Sequence, residues 1–209
     1  MKSTFNAHDR AYRPNLIEKL SNYPVTVCGA GAIGSNLVDG LTRMGAKDVL
    51  VYDFDRVSNT NQGTQVYSAR LVGMLKYQAL ISVVFENTGM VIKGNGFKIT
   101  EHNVERLLSG LVIEAFDNAK SKMLVNNACE KLKLPCVHVG MNVDYAGIRW
   151  ANSSYNVESG DIDLCDYPLA RNLVMLTTAV LSETILRFID TGEQNSYAIT
   201  LKDLRIWNI

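Results

Sequence analysis

The sequence predicts an α/β fold with a doubly wound, mostly parallel sheet and an antiparallel addition at its C-terminal end. Short β-rich runs alternate with longer helical patterns, which is typical of βαβ units. After residue 141 this pattern gives way to strands in which polar and apolar residues partly alternate. A chain of 209 residues has the length of one domain, and no linker divides it. We therefore expect a single domain over residues 1–209, with an N-terminal arm at 1–22 and a mobile loop at 151–168.

The individual elements can be placed along the chain from their hydrophobic patterns. The first strand, 25–28, is a short apolar run, and the helix after it, 32–44, ends at Gly45. A helix over 119–133 is stopped by Pro135. The further predicted strands are 48–52, 90–99, 111–116, 136–141, 146–150 and 196–207, and the further helices are 71–85 and 169–189. The stretch 151–168 is polar and rich in Asn, Ser and Asp, which indicates a loop.

Composition excludes several classes of protein. Lys and Arg total 21 against 21 acidic residues, so the chain lacks the overall positive charge of a nucleic-acid binder. No stretch approaches 18 uninterrupted apolar residues, so we expect no membrane span, and the first ten residues do not resemble a secretory signal. The four cysteines form no CxxC pair, which favours reduced thiols and a cytoplasmic protein.

The strongest local motif is GAGAIG at residues 29–34, a GxGxxG sequence directly after the first strand. Gly29 allows the tight turn, Gly31 lets a phosphate approach the backbone, and Gly34 lets the helix pack closely on the sheet. The helix amino end then attracts the phosphate. Asp53 closes the second strand, where its carboxylate can accept hydrogen bonds from a ribose. The motif predicts a Rossmann-like nucleotide site but does not separate NAD, FAD, S-adenosylmethionine and ATP.

The segments that follow narrow the choice of nucleotide. Residues 53–65 read DFDRVSNTNQGTQ, residues 73–76 read GMLK, and Asp117-Asn118 follows a later strand. In this order the motifs resemble the ThiF/MoeB/HesA family, the adenylating domains related to ubiquitin-activating enzymes. The resemblance covers residues 10–145 well and the last predicted helix loosely.

This resemblance implies an ATP- and magnesium-dependent adenylyltransferase. Its substrate would be the C-terminal carboxylate of a small ubiquitin-like or sulfur-carrier protein, or of a peptide. The implied nucleotide-binding residues are Gly29, Gly31, Gly34, Asp53, Asp55, Asn61, Gln65 and Lys76. Asn61 and Lys76 would contact the phosphates and Asp117 would hold Mg²⁺, so that the growing negative charge is neutralised. The alternative for Asp117 is to cap the following helix.

The resemblance also implies a homodimer. Arg10 and Arg13 are similar to an arginine-containing opening of the family, in which an arginine reaches the triphosphate of the partner subunit. We therefore expect these two arginines to take part in catalysis across a dimer interface.

Departures from the family pattern qualify these expectations. Thr64 stands before Gln65 where the family has arginine, and a hydroxyl supplies neither its charge nor its forked hydrogen bonds. Arg56 and Arg70 are nearby candidates for the missing charge. Without paired CxxC motifs we expect no zinc.

Cysteine and histidine residues have few candidate roles. Cys165 is the candidate for covalent transfer, but the neighbouring Asp163 and Asp166 favour an unreactive loop thiol. The other three cysteines and His138 are expected in the core.

Two other functions stay open at this point. An NAD(P)-binding oxidoreductase would use the same glycine motif and Asp53, but it leaves Asn61, Lys76 and Asp117 unexplained. A non-catalytic ThiF-like scaffold subunit is favoured by Thr64. The identity of the bound nucleotide distinguishes the oxidoreductase from the adenylyltransferase. A measurement of ATP–pyrophosphate exchange distinguishes the scaffold subunit from the active enzyme.

Overall fold

The computed structural model describes residues 15–151 and 169–209. Its helices are α1 Leu16–Asn22, α2 Ala32–Arg43, α3 Lys76–Thr88, α4 Val104–Leu107, α5 Ala119–Leu132 and α6 Arg171–Thr191. Its strands are β1 Val25–Cys28, β2 Val49–Tyr52, β3 Lys93–Asn95, β4 Leu111–Glu114, β5 Cys136–Asn142, β6 Tyr145–Trp150, β7 Tyr197–Thr200 and β8 Arg205–Asn208. Two short 3₁₀ helices, Asn59–Gly63 and Ala69–Leu71, lie between β2 and α3. The first 14 residues and nearly all of the predicted loop at 151–168 lie outside the described residues.

The eight strands form one sheet in the order β3-β2-β1-β4-β5-β6-β7-β8. The first five strands of this order pair in parallel, and β6, β7 and β8 are added antiparallel. β1 and β4 are buried along their whole length, as expected for central strands covered on both faces. β2 and β3 lie on one side of β1, and β4 and β5 lie on the other. Because these strands are parallel, the carboxyl ends of β1, β2 and β4 meet at one edge of the sheet.

Helices cover both faces of the sheet. The larger core cluster joins one sheet face to α1, α2, α3 and α6, and the smaller one joins the other face to α4 and α5. Leu37 and Leu41 of α2 are fully buried in the first cluster, and Val125 of α5 is fully buried in the second. The predicted fold class is thus confirmed: a Rossmann-like, doubly wound sheet with an antiparallel C-terminal addition.

Several predicted boundaries differ from those in the structure, and contacts with distant residues account for some of the differences. The helix predicted at 71–85 begins at Lys76, because the backbone of Val57 pairs with Gly73 and Met74 and keeps that segment extended. The strand predicted at 90–99 is reduced to β3, and Tyr77 of α3 packs against Gly94 and Gly96 in this segment. Residues 196–207 form the β7–β8 hairpin instead of one strand. Part of the predicted N-terminal arm is helix α1, whose buried Leu16 and Leu20 join the core. The one-turn helix α4 was not predicted.

Helix α6 is the longest described helix, at 21 residues. Within the described part of the chain, this helix alone has the length and apolar composition needed to cross a membrane. However, half of its most apolar stretch is buried inside the protein, where it contacts α1, α2 and β6. Phe188 packs on Trp150 of β6 with ring centroids 4.7 Å apart. These contacts are those of a core helix.

Candidate nucleotide-binding site

The turn between β1 and α2 contains three glycines of the GxGxxG motif, and two of them cannot be replaced by a residue with a side chain without a steric clash. Gly29 has a φ of +105°, and a Cβ there would lie 2.9 Å from the carbonyl oxygen of Ala115. A Cβ on Gly34 would lie 1.9 Å from the carbonyl oxygen of Gly29. A Cβ on Gly31 would meet no atom within 4 Å. Backbone atoms therefore pack closely against Gly29 and Gly34, whereas the space next to Gly31, at the start of α2, is empty.

Asp53 is fixed against this turn. Its side chain is buried, its Oδ2 accepts a hydrogen bond of 2.7 Å from the Ala30 N–H, and its Oδ1 accepts one of 2.8 Å from the Asp55 N–H. Burial raises the pKa of Asp53, opposed by the positive charge of Lys76 and by the two backbone N–H groups. A carboxylate has about four acceptor positions, so two stay available to the hydroxyl groups of a ligand.

Lys76 lies at the first position of α3, beside the loop that follows β2. Its Nζ is 3.0 Å from Asp55 Oδ2, and 12% of its side chain is exposed. Tyr67 connects this lysine to the glycine turn, since its hydroxyl donates to the Ala30 carbonyl at 2.8 Å and contacts the Lys76 carbonyl at 3.3 Å. Burial raises the pKa of Tyr67, which keeps the hydroxyl protonated as a donor. The structure thus brings Asp53, Asp55 and Lys76 together beside the glycine turn. Tyr67, which connects the backbone of Lys76 to this turn, was not singled out from the sequence.

The segment around Asn61 packs on the first turns of α2. The Oδ1 of Asn61 accepts from the Ser58 N–H at 2.8 Å, so the amide nitrogen is the part of this side chain left for a ligand. The carbonyl of Thr64 accepts from Asn36 Nδ2 at 2.8 Å. Gln65 Oε1 is buried and has no hydrogen-bond partner in the described part of the protein. A buried acceptor without a partner is costly, which favours a donor supplied by a bound ligand.

Arg56 and Arg70, the nearby candidates for the charge missing at Thr64, both form contacts elsewhere. Arg56 donates to the carbonyl oxygen of Gly73 at 2.7 Å. Arg70 forms an exposed ion pair with Glu86 on α3. Neither contact involves the Asn61 segment or the glycine turn.

Asp117 is exposed in the loop after β4, and this loop touches Gly29 through Ala115. The cap of helix α5 is Asn118, whose Oδ1 accepts from the Ser121 N–H at 2.9 Å. The alternative role for Asp117 as the helix cap was therefore wrong, because the neighbouring asparagine performs it. Asn118 Nδ2 also donates to Asp117 Oδ1 at 3.3 Å, which steadies the carboxylate.

No three His, Cys, Asp or Glu side chains converge on a possible metal site in residues 15–151 and 169–209. This arrangement does fit magnesium bound to a nucleotide, because Mg²⁺ is commonly held by one or two carboxylates together with substrate phosphates. Asp117 is the exposed carboxylate in the loop after β4 that would serve as such a ligand.

Glu114 is the centre of a buried polar network behind Asp117, and this residue was missed from the sequence. Glu114, the last residue of β4, is fully buried, and its Oε2 lies 2.8 Å from Lys122 Nζ and 3.1 Å from His138 Nδ1. Its Oε1 accepts from the Phe116 N–H at 2.7 Å, and His138 Nε2 lies 3.1 Å from Asn126 Oδ1. His138 is thus the satisfied core histidine that was predicted. The signal for Glu114 was a charged residue inside the apolar run 111–116.

Cys28, Cys129 and Cys136 are buried, as predicted. Burial raises the pKa of Cys28, and a hydrogen bond with Cys129 together with burial raises the pKa of Cys136, so both thiols are poor nucleophiles. Arg10, Arg13 and Cys165 lie outside the described residues, and the roles implied for them stay predictions.

Known proteins resemble this chain in sequence and in fold. Over 164 residues it is 29% identical to ubiquitin-like modifier-activating enzyme 5 of Rattus norvegicus, an alignment that covers 70% of this chain and 37% of the relative. The chain thus spans about a third of the length of the curated relatives it matches. Escherichia coli MccB, solved with AMPCPP and MccA, superimposes with a TM-score of 0.84 at 18% identity, over 100% of this chain and 71% of that one. PaaA gives a TM-score of 0.77 at 14% identity, over 98% and 72%.

The family relationship rests on the segment that contains the whole site described above. Residues 6–151, well over half of the chain, match the ThiF family. This range includes the glycine turn, Asp53, Lys76 and Asp117. The chain belongs to the ThiF family.

Proposed function

We propose that this chain is an ATP- and magnesium-dependent adenylyltransferase. It activates the C-terminal carboxylate of a small ubiquitin-like or sulfur-carrier protein, or of a peptide, as an acyl-adenylate. The observation that carries the proposal is the position of Lys76 beside the glycine turn, linked to it through Tyr67 and close to the buried Asp53. A dehydrogenase has no need of a lysine at this place.

In the proposed reaction a carboxylate oxygen of the substrate forms a bond to the α-phosphorus of ATP. The bond from that phosphorus to the bridging oxygen breaks, and its electron pair leaves with pyrophosphate. Asp53 orients the ribose, the open backbone over Gly31 receives the phosphates, and the ammonium of Lys76 stabilises charge on the leaving group. Asp117 would hold Mg²⁺, which would supply further positive charge to the phosphates.

The relatives support this substrate class. The rat relative is named as an activating enzyme for a ubiquitin-like modifier, and MccB has been solved with ATP and with MccA. These proteins are longer than this chain, so the substrate is part of the proposal.

The direct test is ATP–pyrophosphate exchange, measured with labelled pyrophosphate and candidate small carrier proteins or peptides. Lys76→Ala and Asp117→Ala should each reduce exchange roughly a hundredfold, the usual effect of losing one preorganised charged group, about 3 kcal/mol. Lys93→Ala is the matched control, because Lys93 also pairs with an aspartate at 3.1 Å but lies on β3 with 74% of its side chain exposed. Exchange at wild-type rates in both site variants would contradict the roles given to them.

Nucleotide preference separates the proposal from its alternatives. Isothermal titration should show that ATP with Mg²⁺ binds and that NAD does not bind comparably. Tighter binding of NAD would favour an oxidoreductase. ATP binding without exchange, for every carrier tested, would favour the non-catalytic scaffold that Thr64 suggests.

We also propose a homodimer in which Arg10 or Arg13 reaches the nucleotide of the partner subunit. Light scattering at working concentration should then give twice the mass of 23.2 kDa. Mixing an Arg10→Ala/Arg13→Ala subunit with an Asp117→Ala subunit should restore exchange at one of the two sites. A monomer, or no complementation, would contradict this arrangement.

A further inference from the structure

The candidate site carries more negative than positive charge among its described residues. Asp53, Asp55 and Asp117 contribute carboxylates, and the ammonium of Lys76 is already paired with Asp55. A nucleotide triphosphate adds several negative charges, and unpaired charge in a partly dehydrated site is unfavourable. One Mg²⁺ would offset only part of this negative charge, so a further cation close to the phosphate-binding turn would strengthen binding.

Arg171 contacts the polar segment that follows β2 through a hydrogen bond. It is the first residue of α6, and its NH1 donates a hydrogen bond of 3.1 Å to the carbonyl oxygen of Gly63. Gly63 directly precedes Thr64, which accepts a hydrogen bond from Asn36 of α2. The Val66 N–H also lies 3.4 Å from Ser35 Oγ on the same helix. Arg171 is thus attached to the segment that lies on the first turns of α2.

The position of Arg171 in its own helix is unfavourable in the absence of a bound anion. A cation in the first turn opposes the helix dipole, which favours negative charge at that end. The guanidinium has five N–H donors, and the contact with Gly63 uses one of them in the described part of the chain. The remaining donors form the planar fork that suits a phosphate group.

We propose that Arg171 binds the phosphates of the nucleotide and supplies the positive charge that Thr64 does not. This assignment rests on the proposed adenylation, since it presupposes ATP at the glycine turn. The hydrogen bond to Gly63 holds the side chain near the place where the charge is needed, so little conformational freedom is lost on binding. Arg171 lies 108 residues from Gly63 in the sequence, so only the fold brings them together.

The test compares ATP and AMP binding by isothermal titration with Mg²⁺. Arg171→Ala should raise the Kd for ATP about tenfold to a hundredfold, the effect of losing a hydrogen bond to a charged group. The Kd for AMP should change much less, because AMP lacks the outer phosphates. The Kd of Arg171→Lys for ATP should lie between those of the wild type and Arg171→Ala. The thermal unfolding temperature of Arg171→Ala should be unchanged or slightly higher than that of the wild type.

Two further variants make the test specific. Arg187→Ala removes an arginine from the other end of α6, where it pairs with Glu183, and should leave ATP binding unchanged. Thr64→Arg, added to Arg171→Ala, should recover most of the lost ATP affinity because it returns a positive charge to the same segment.

The outcomes distinguish the two proposals. If the wild-type protein binds ATP and Arg171→Ala binds it equally well, the role of Arg171 is wrong and adenylation stands. Equal losses for ATP and AMP, or no recovery with Thr64→Arg, would also overturn the role of Arg171. If the wild-type protein does not bind ATP, both proposals are wrong.

Discussion

The carboxyl ends of β2 and β4 lie on either side of the glycine turn, and each end, together with the loop that follows it, combines one buried carboxylate with one exposed carboxylate. In the loop after β2 the buried group is Asp53 and the exposed group is Asp55. At the end of β4 the buried group is Glu114, and Asp117 in the following loop is exposed. The two loops therefore look alike in composition, and they differ in how the buried charge is balanced.

Asp53 is balanced by the nearby charge of Lys76 and by two backbone N–H groups, whereas Glu114 forms a direct ion pair with the ammonium of Lys122. Asp53 keeps 7% of its surface exposed and can still receive a ligand, but Glu114 has none exposed. Burial thus leaves Asp53 accessible for the ligand-binding role proposed for it and makes Glu114 a structural acid. At the end of β4, Glu114 accepts a hydrogen bond from the Phe116 N–H, and the exposed Asp117 is the residue proposed to hold the magnesium of the nucleotide.

Among the variants that test this difference between the two carboxylates, Glu114→Ala should have the largest effect on the free energy of unfolding. Glu114→Ala leaves Lys122 unpaired with only 12% of its side chain exposed, and should reduce the free energy of unfolding by about 3–5 kcal/mol. Glu105→Ala is the matched control, because its ion pair with Lys131 is exposed and should contribute less than about 1 kcal/mol. Urea unfolding measures both. A loss no larger than that of the control would mean that the network does not stabilise the β4 end of the site.

The pH dependence of stability tests the other loop. Burial raises the pKa of Asp53, so the folded protein holds this proton more tightly than the unfolded chain does. This contribution to stability is fully present below the ordinary pKa of about 4 and is lost as the pH rises through the raised pKa. Asp53→Asn removes the effect, so the unfolding free energy of the variant relative to wild type should rise as the pH increases above about 4 and become constant above the raised pKa.

Urea unfolding over this pH series gives the difference directly. Asp48→Asn, an exposed aspartate paired with Lys93, is the matched control for the loss of one carboxylate. A difference between Asp53→Asn and wild type that is constant with pH, or that falls, would contradict the buried and poorly solvated environment of Asp53.

A smaller effect separates the two neighbouring residues of the second loop. Asn118→Ala removes the cap of α5 and should lower the free energy of unfolding by about 1 kcal/mol. Asp117→Ala should leave stability nearly unchanged, because Asn118 performs the capping. Thermal unfolding measures this difference, and equal losses in both variants would assign Asp117 a structural role instead.

The parts of the fold that depend on local patterns could be predicted from the sequence. Apolar runs located β1, β2, β4 and β5, and the glycine motif located the turn, because each is specified by neighbouring residues. The start of α3 could not be predicted, since the backbone of Val57 keeps the segment before it extended. For the same reason β3 was overestimated, because Tyr77 of α3 meets its glycines only in the folded chain.

The candidate site divides in the same way. Asp53, Lys76 and Asp117 stand in motifs, so sequence alone could single them out. Glu114 and Arg171 could not be found in this way, because their partners lie on other elements. Site residues that stand in sequence motifs could therefore be predicted from the sequence. Site residues that are defined by contacts between distant elements could be found only in the structure.

The smallest expected effect concerns Arg70, which the sequence offered as a substitute for the charge missing at Thr64. Arg70 pairs with Glu86 of α3, and more than half of each side chain is exposed, so water and salt screen the pair. Arg70→Ala should therefore change the free energy of unfolding by less than about 0.5 kcal/mol and leave the Kd for ATP unchanged. Titration of Arg70→Ala and Arg171→Ala under the same conditions compares the two arginines directly. Weaker ATP binding in Arg70→Ala alone would transfer the phosphate-binding role to Arg70 and would require the ion pair with Glu86 to break when the nucleotide binds.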